Sequence, residues 1–409
     1  MTEKKVEGLV SDRLIRRLAE ESIALDLARP RIFPERQPLK RKRLNLVIPV
    51  VFEKFLQFAG PSTAVRLGNA LSRHFDALRI VVTMQIESEF SPEPWPGWFV
   101  GDRSDASHSI TFLGAESASL SIIPDDYFLA TAWTTALLIR TILKQQIELF
   151  GVKPRRFAYL IQEYEAGYYP LSARYDYAQS TYEDDNDIIA VFNSSQLATY
   201  FTNMNLRYSQ QYVFEPKLSP EIQKTYSECR GQPKEKILFV YGRPGMHRNA
   251  FELVVEALKV WARDYPSSHE WTVISAGLKH DDIPLNTRVT LKSAGILPLE
   301  DYARLLSRTW IGLTLMFSPH PSFPPLELCE FGCWVVTNSF ANKDLANLSP
   351  NIISLRHPAP EDLAKSVAWC CDQFEPGKPT VCENLRSVFP DSDADEFPFV
   401  DELSERWIT

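Results

Sequence analysis

The sequence predicts an α/β protein made of two Rossmann-like, doubly wound domains that face a cleft. Three observations lead to this fold class. Short apolar runs alternate with segments of helical period, as expected for parallel strands joined by crossover helices. This alternation stops once, between residues 211 and 236, and then starts again. A chain of 409 residues with 44% hydrophobic side chains can also fill two separate cores.

The first half of the chain begins its alternation at residues 44–51, which are predicted to form the first strand. After a loop that ends at Gly60, Ser62 can cap a helix, because a serine oxygen accepts hydrogen bonds from the free N–H groups of a first turn. The longest helix is predicted at 133–150. Further strands are predicted at 78–83, 109–113, 127–131, 157–161 and 188–192.

The second half follows a stretch in which Pro216, Pro220, Gly231 and Pro233 lie among charged residues. Because proline and glycine interrupt regular structure, this stretch is predicted to be a linker. Strands are then predicted at 237–241, 271–276, 311–317, 334–337 and 352–355, with helices at 250–261, 299–306 and 360–371. The predicted division is a basic helical leader at 1–43, an N-terminal domain at 44–212, a linker at 213–235, a C-terminal domain at 236–390 and an acidic tail at 391–409.

The charge and the cysteines exclude several classes of protein. A net charge of −8 gives no general support for binding nucleic acid, so no such partner is expected. Residues 1–43 carry twelve Lys or Arg against seven Asp or Glu. We expect a solvated leader with one packed helix, and weak peripheral contact with an anionic membrane is the alternative. The cysteines show no paired metal-ligand spacing, and no secretion or membrane-spanning segment is found, which predicts a cytoplasmic protein, with the inner membrane face as the alternative.

The loop after the strand at 237–241 contains Arg243 and Arg248 beside glycines and a predicted helix start. In open parallel sheets, ligands bind beyond the carboxyl ends of the strands. Asn249 and Glu252 resemble a capping box, which predicts that the helix begins at Asn249. Guanidinium groups suit a diphosphate and can stabilise it as a leaving group without a metal. We therefore expect an anion site rather than two solvated arginines, and no metal site.

The loop after the strand at 311–317 is rich in proline, which restricts the backbone before a short helix. His320 can bind a ligand hydroxyl or simply hold the loop, and Ser322 belongs to the same loop. Glu327 is predicted in the first helical turn, where the helix dipole alone favours a carboxylate. Structural and functional roles are therefore both open for Glu327.

These segments together resemble a known family. The order of these features resembles that of the retaining GT-B glycosyltransferases of family 4. The features are a strand, a Gly-Arg pair with a second basic residue, a helix, a proline-containing loop and a Glu five residues before a Gly. The more similar group is the bacterial rhamnosyltransferases of the WsaF type. The resemblance covers most of 44–371 and rests on residues 241–251, 318–327, 338–345, 130–133 and 161–163.

The resemblance implies roles for individual residues. Arg243 and Arg248 would hold the diphosphate, and Glu327 would accept hydrogen bonds from the nucleotide sugar. Gly60 would lie under the diphosphate from the opposing, acceptor-side domain, and Glu163 would face the reacting sugar. The expected catalytic residues are Arg243, Arg248 and Glu163. The expected substrate-binding residues are Gly60, Arg243, Arg248, His320, Ser322 and Glu327.

Two positions depart from the pattern of the family. A second glutamate usually precedes the one matched by Glu327 by eight residues, but Pro319 occupies that place here. Hydroxyl recognition of the donor sugar must therefore differ. Ile296 stands where members of the WsaF type can offer a basic residue.

Residues 163–182 are the candidate acceptor-binding segment. A carboxylate that ends a strand, as Glu163 does, is often only solvated, and acceptor binding is an alternative to catalysis. Six tyrosines follow, with Gly167 and Pro170 among them, which predicts a long mobile loop. Tyrosine-rich loops suit carbohydrate contact.

The function implied by the resemblance is retaining, metal-independent transfer of a deoxyhexose, in particular L-rhamnose from dTDP-rhamnose, to a surface-glycan hydroxyl. The expected partners are a dTDP-sugar donor and an oligosaccharide or lipid-linked glycan acceptor, with no cofactor. A nucleotide-sugar epimerase on the same fold and a catalytically inactive glycan-binding protein are the alternatives. A dinucleotide dehydrogenase is disfavoured because no G-x-G-x-x-G motif follows the first strand of either half.

Overall fold

A computed structural model gives the fold of the protein. It describes residues 27–35, 41–51, 59–85, 87, 90, 95–101, 105–115, 118–183, 187–379, 388–389 and 394–408. The helix predicted in the basic leader and the first residues of the acidic tail lie outside these ranges. The chain divides into two compact units, a first unit of Met1–Leu160, Tyr169–Ile189 and Val400–Thr409, and a second unit of Ile161–Tyr168 and Ala190–Phe399.

The N-terminal half contains two sheets. A parallel pair is formed by β1 (Arg31–Pro34) and β6 (Ser119–Ile122). The main sheet has eight strands, β2 (Arg43–Ile48), β3 (Ala77–Val82), β4 (Phe99–Val100), β5 (His108–Phe112), β7 (Asp126–Ala130), β8 (Phe157–Ile161), β9 (Ile188–Phe192) and β10 (Gln211–Val213). Their spatial order is β10-β9-β8-β7-β2-β3-β5-β4. Since β2 pairs in parallel with both β3 and β7, and all three strands are buried along their length, both faces of the sheet are covered.

The described residues of this half include four helices, and the first of these begins earlier than predicted. They are α1 (Ala59–Ser72), α2 (Trp133–Phe150), α3 (Ala173–Ser180) and α4 (Ser195–Asn203). Gly60 therefore lies in the first turn of α1 rather than at the end of a loop. Ser62 is not the N-cap, because it lies inside the helix and its hydroxyl accepts a 2.6 Å hydrogen bond from Arg66.

A buried ionic network joins β2, β3 and β7 in the first unit. Arg43 donates to both carboxylate oxygens of Asp126, at 2.7 and 2.9 Å. Asn45 donates to the same carboxylate at 2.9 Å and accepts a 2.7 Å bond from Arg79. The network therefore satisfies charges that would otherwise be costly to bury.

The C-terminal helix of the chain belongs to the first unit. After the tail residues, α10 (Val400–Ile408) buries Trp407, whose ring packs edge-on against Phe75 and Tyr127. The indole N–H donates to the carbonyl of Arg156 at 2.9 Å. The described part of the predicted acidic tail is thus anchored by an aromatic side chain.

The second sheet is built from seven strands in the C-terminal half. They are β11 (Glu235–Gly242), β12 (Thr272–Gly277), β13 (Ile283–Pro284), β14 (Thr290–Gly295), β15 (Thr309–Leu313), β16 (Trp334–Asn338) and β17 (Ile352–Leu355). Their order is β13-β14-β12-β11-β15-β16-β17, and only the β13–β14 pair is antiparallel. The chain builds one side of β11 first and then the other, so the strand order reverses between β11 and β15.

In the part of the chain that the structure describes, five helices accompany the second sheet. They are α5 (Pro220–Cys229), α6 (Phe251–Asp264), α7 (Leu299–Arg308), α8 (Phe323–Glu330) and α9 (Pro360–Asp372). Helix α6 packs on α9, and α5 packs on α7. Helix α5 lies inside the stretch predicted as a linker. Pro220 does not interrupt it, because Pro220 stands at the start of the helix, where proline is tolerated. Within the described residues, no helix is long and apolar enough to cross a membrane.

Candidate active site

The loop after β11 carries both predicted arginines. β11 ends at Gly242, where an added Cβ would lie 1.9 Å from the hydroxyl of Ser275, so only glycine fits. The chain then reaches Ala250 in the left-handed conformation, with φ 44°, and α6 begins at Phe251. The predicted helix start at Asn249 is therefore wrong. Its buried amide instead donates to the carbonyl of Leu315 at 3.1 Å, which joins this loop to the loop after β15.

The loop after β15 is held by groups from both neighbouring strands. On one side, the Phe317 N–H donates to the carbonyl of Arg248 at 2.7 Å. On the other side, the side chain of Asn338 accepts from the Met316 N–H at 2.7 Å, and the Lys343 ammonium donates to the Met316 carbonyl. The loop backbone is thus fixed at the point where the strand order reverses, which is the usual ligand position in open α/β sheets.

The two arginines remain partly exposed at this position. The guanidinium of Arg248 lies over the ring of Tyr168, 4.5 Å from its centroid. Its Nε is buried and has no acceptor among the described residues. The side chain of Arg243 hydrogen-bonds the hydroxyl of Tyr241. The loop after β11 therefore presents two cations whose N–H groups can bind an anion.

Glu163 is brought to the loop after β15. The hydroxyl of Ser318 lies 2.7 and 2.6 Å from its two carboxylate oxygens, and Nδ1 of His320 lies 3.8 Å from Oε1. Burial raises the pKa of Glu163, while Arg248, Ser318 and Lys343 act in the opposite direction. This carboxyl group can therefore either hold a negative charge among cations or take up a proton.

His320 and Ser322 form a tight turn before α8. The N–H of Ser322 donates to Nδ1 of His320 at 3.0 Å, and the N–H of His320 points at the hydroxyl of Ser318 at 3.1 Å. Burial, with Lys343 and Arg248 nearby, lowers the pKa of His320 to about 3. Ser322 adopts φ 70° and ψ 147°, a backbone conformation that residues other than glycine rarely adopt.

Glu327 lies in the second turn of α8. The prediction of the first turn was wrong because Phe323 and the prolines after it occupy that turn. The Glu327 side chain is buried, and its Oε2 accepts a 2.7 Å bond from the hydroxyl of Tyr302 in α7. Burial raises the pKa of Glu327 to about 7. Whether Glu327 is ionised therefore depends on burial, which favours the neutral carboxyl group, and on the hydrogen bond from Tyr302, which favours the carboxylate, rather than on the helix dipole.

Two family models match the chain. Residues 43–195 match the N-terminal domain of WsaF, and residues 236–368 match the C-terminal domain of WsaF. These ranges cover more than half of the chain. The protein belongs to the WsaF family.

One curated relative of this WsaF-family chain is the O-antigen biosynthesis protein RfbC of Myxococcus xanthus. The two are 32% identical over 213 residues, which is 52% of this chain but only 15% of RfbC.

Solved structures show the fold of this WsaF-family chain. WaaG, a glycosyltransferase involved in lipopolysaccharide biosynthesis, is 12% identical, with a TM-score of 0.52 over 89% of this chain and 99% of WaaG. HepE of Anabaena, in complex with UDP and glucose, is 12% identical, with a TM-score of 0.54 over 90% and 99% of the two chains. Sucrose-phosphate synthase of Thermosynechococcus elongatus is 12% identical, with a TM-score of 0.54 over 90% of this chain and 95% of the synthase. The chain therefore has the GT-B fold.

The WsaF-family chain brings most of the predicted site residues into one unit. Arg243, Arg248, Glu163, His320, Ser322 and Glu327 all lie in the second unit, and Gly60 lies in the first. Of the two departures, Pro319 stands between Ser318 and His320, and the exposed Ile296 directly follows β14.

Sequence reasoning missed several partners of these residues, above all Lys343 and Tyr302. Lys343 is fully buried, although a lone lysine after a strand normally indicates a solvated loop. Its one signal is its place five residues after β16, at the sheet edge where the other loops meet. Tyr302 lies on α7, where periodicity indicates only a packed helix.

The tyrosine-rich segment is not the long mobile loop that was predicted. It forms a 3-10 turn at Glu165–Tyr168 and then α3. Tyr164 and Tyr182 are buried, and Tyr182 stacks on Tyr159 with ring centroids 5.7 Å apart. Burial of these rings stabilises regular structure where the glycine and proline content suggested a loop. Leu171 and Tyr177 are exposed on this segment, so acceptor binding there stays a prediction.

The described residues contain no group of three or more His, Cys, Asp or Glu side chains that could hold a metal ion. The described cysteines, Cys229, Cys329, Cys333, Cys370 and Cys371, are buried and unpaired by disulfides.

Proposed function

We propose that the protein is a glycosyltransferase of glycan biosynthesis that uses a nucleotide-diphosphate sugar. The observation that carries the proposal is the pair Arg243 and Arg248, partly exposed in the loop after β11 at the reversal of strand order. Two guanidiniums at such a position suit a diphosphate. The names of WaaG and RfbC point to glycan biosynthesis, and HepE structures hold UDP or UDP-glucose, which supports the same ligand class here.

We further propose that the donor is dTDP-L-rhamnose and that the sugar is transferred with retention to a hydroxyl of an oligosaccharide or lipid-linked surface glycan. Membership of the WsaF family supports this choice. In the reaction, the bond between the anomeric carbon and the diphosphate breaks, a bond to the acceptor oxygen forms, and the proton of the acceptor hydroxyl passes to the departing diphosphate. Negative charge grows on the departing dTDP, and Arg243 and Arg248 stabilise it.

The carboxyl groups of the site have separate roles in this proposal. Glu327, held by Tyr302, accepts hydrogen bonds from hydroxyl groups of the nucleotide sugar when it is ionised. Glu163, held by Ser318 beside Arg248, faces the reacting sugar. Since the arginines supply positive charge at the diphosphate, the reaction is proposed to need no metal.

The test is a turnover assay with dTDP-rhamnose, UDP-glucose and related donors, each with and without a glycan acceptor and with and without EDTA. We expect dTDP release that needs the acceptor and is unchanged by EDTA. Loss of turnover in EDTA that a divalent ion restores would contradict metal independence. A new sugar isomer formed without acceptor would favour an epimerase. If neither dTDP nor UDP raises the melting temperature, a catalytically inactive glycan-binding protein becomes the better explanation.

A further inference from the structure

The tautomer of His320 is fixed by its surroundings. The backbone N–H of Ser322 donates to Nδ1 at 3.0 Å, so Nδ1 must be an acceptor and carries no proton. A neutral imidazole then carries its proton on Nε2. The ring is 5% exposed, and Arg248 and Lys343 nearby oppose a second proton, which places the pKa of His320 at about 3. Around neutral pH, His320 is therefore a neutral group with one N–H to donate.

That N–H has no protein acceptor. Nε2 is buried and has no hydrogen-bond partner among the described residues. A buried donor without a partner is unfavourable, and such groups are rare in folded proteins. The adjacent Pro319 has no hydrogen-bonding side chain, and Ser318 is engaged with Glu163. The free donor therefore belongs to a residue of the site, two residues after Ser318, whose hydroxyl holds Glu163.

We propose that His320 selects the donor sugar by donating its Nε2–H to a lone pair of one sugar hydroxyl oxygen. This inference rests on the proposed function, because it names the part of the nucleotide sugar that His320 binds. A neutral donor suits a neutral acceptor such as a hydroxyl, whereas the diphosphate has Arg243 and Arg248 as cationic partners. Nδ1 of His320 lies 3.8 Å from Oε1 of Glu163, so the ring lies beside the carboxylate proposed to face the sugar.

The polarity of this contact has a consequence for specificity. A carboxylate can only accept a hydrogen bond from a hydroxyl, but the Nε2–H of His320 can only donate one. The site therefore needs an oxygen atom at this point of the sugar. A donor analogue that lacks this hydroxyl leaves the buried N–H unpartnered and is rejected, because loss of such a partner is costly.

Two substitutions separate this role from a structural one in the full-length protein. His320→Asn keeps an acceptor near Nδ1 for the Ser322 N–H but removes the outer N–H. His320→Gln places an amide N–H near the position of Nε2 but loses the Nδ1 acceptor. His269→Gln, at an exposed histidine in another part of the fold, is the control.

Isothermal titration with dTDP and with dTDP-rhamnose gives the result. We expect His320→Asn to weaken dTDP-rhamnose about tenfold or more while dTDP binds as in the wild type, and His320→Gln to retain most of the affinity. Equal loss for both ligands in His320→Asn, or no loss for dTDP-rhamnose, would overturn the inference. If the wild type does not bind dTDP, the proposed function fails instead, so the two failures are distinguishable.

Nitrogen NMR of the histidine rings provides a second readout. The chain has 7 histidines, and the signals missing in His320→Asn identify His320. We expect a neutral ring protonated on Nε2 from pH 5.5 to 8, with Glu163, Lys343 and Arg248 as the charged groups near it. The Nε2 proton signal should move with dTDP-rhamnose and stay in place with dTDP. A ring protonated on Nδ1, or a cationic ring, contradicts the assignment.

Discussion

The hydroxyl of Tyr302 donates a 2.7 Å hydrogen bond to Oε2 of Glu327, so a residue of α7 fixes one oxygen of a buried carboxylate in α8. Burial raises the pKa of Glu327 to about 7, and the bond from Tyr302 acts against this rise. The ionised fraction of Glu327 near neutral pH therefore depends on a single phenol.

Replacing Tyr302 by phenylalanine is expected to shift the pH dependence of donor binding. Without the hydroxyl, the pKa of Glu327 rises above 7, so less of it is ionised at neutral pH, and affinity for dTDP-rhamnose falls there and recovers as the pH rises. A hydrogen bond to a charged group corresponds to a shift of about one pH unit. Titration calorimetry from pH 6 to 9 measures it. The matched control is Tyr265→Phe, which removes a 2.9 Å bond to Asp372 elsewhere; identical curves for all three proteins would count against a role for Glu327.

Removing either arginine of the loop after β11 is expected to weaken nucleotide-diphosphate binding. Arg243→Ala and Arg248→Ala should each cost about 1–3 kcal/mol, the range for a hydrogen bond to a charged group. Isothermal titration with dTDP gives the affinities. Arg263→Ala, at an exposed arginine paired with Asp264 on α6, is the control and should bind as the wild type does. Unchanged affinity in both site variants would rule out the diphosphate assignment.

The buried network of the first unit predicts a large effect on stability. Asp126→Asn removes the buried carboxylate that pairs with Arg43 and Arg79, with Glu35 still 3.4 Å from Arg43, and the free energy of unfolding should fall by about 3–5 kcal/mol. Urea unfolding measures it. The neighbouring Asp125→Asn breaks a partly exposed pair with Arg155 and should cost less than about 1 kcal/mol.

The same network predicts a pH dependence. Arg43 and Arg79 hold the pKa of Asp126 below its ordinary value despite burial. The stabilisation is therefore complete above the unfolded-state pKa of about 4 and is lost as the pH falls through the lower folded-state pKa. The wild type should lose this part of its stability in acid, and Asp126→Asn should not. Parallel acid dependence in the two proteins would contradict the prediction.

Replacing Ser322 by glycine is expected to relieve backbone strain at this position. At φ 70° and ψ 147°, a serine is strained by about 1–3 kcal/mol, and glycine is not. Part of this gain is lost because glycine makes the unfolded chain more flexible, so Ser322→Gly should raise the free energy of unfolding by about 1 kcal/mol. Thermal unfolding checks the sign. Ser172→Gly, at an N-cap whose hydroxyl accepts from Tyr175, should not stabilise.

The elements that the sequence predicted well are those whose pattern reflects burial. The helix at Trp133–Phe150 and the strands at Phe157–Ile161 and Ile188–Phe192 begin and end at the predicted residues. Strand β14, Thr290–Gly295, was not predicted because half of its residues are polar. It lies near the edge of the sheet and is only partly buried, so polar residues are tolerated there. Helix α5 escaped because proline reads as an interruption wherever it stands.

The site was predictable at the level of loops and not at the level of contacts. Arg243, Arg248 and His320 follow strands, and the carboxyl ends of parallel strands meet at one edge. Which atoms meet there depends on tertiary packing. The amide of Asn249 bonds a distant carbonyl instead of capping its own helix, and Lys343 is buried in a segment of polar composition. Local sequence carries no signal for the bond made by Asn249, and for Lys343 its only signal is the position of the residue five places after β16.

The composition of the two units limits how the protein can be taken apart. The segment Ile161–Tyr168, which carries Glu163, belongs to the unit that is otherwise formed by later residues, and α10 belongs to the unit formed mainly by earlier ones. A fragment restricted to 236–390 would keep both arginines and lose Glu163. A fragment of 44–212 would leave Phe75 and Tyr127 without the ring of Trp407. The first unit consists of three chain segments and the second of two, so domain dissection, chimeras and split-protein designs with this chain need cuts at four boundaries, or the intact polypeptide.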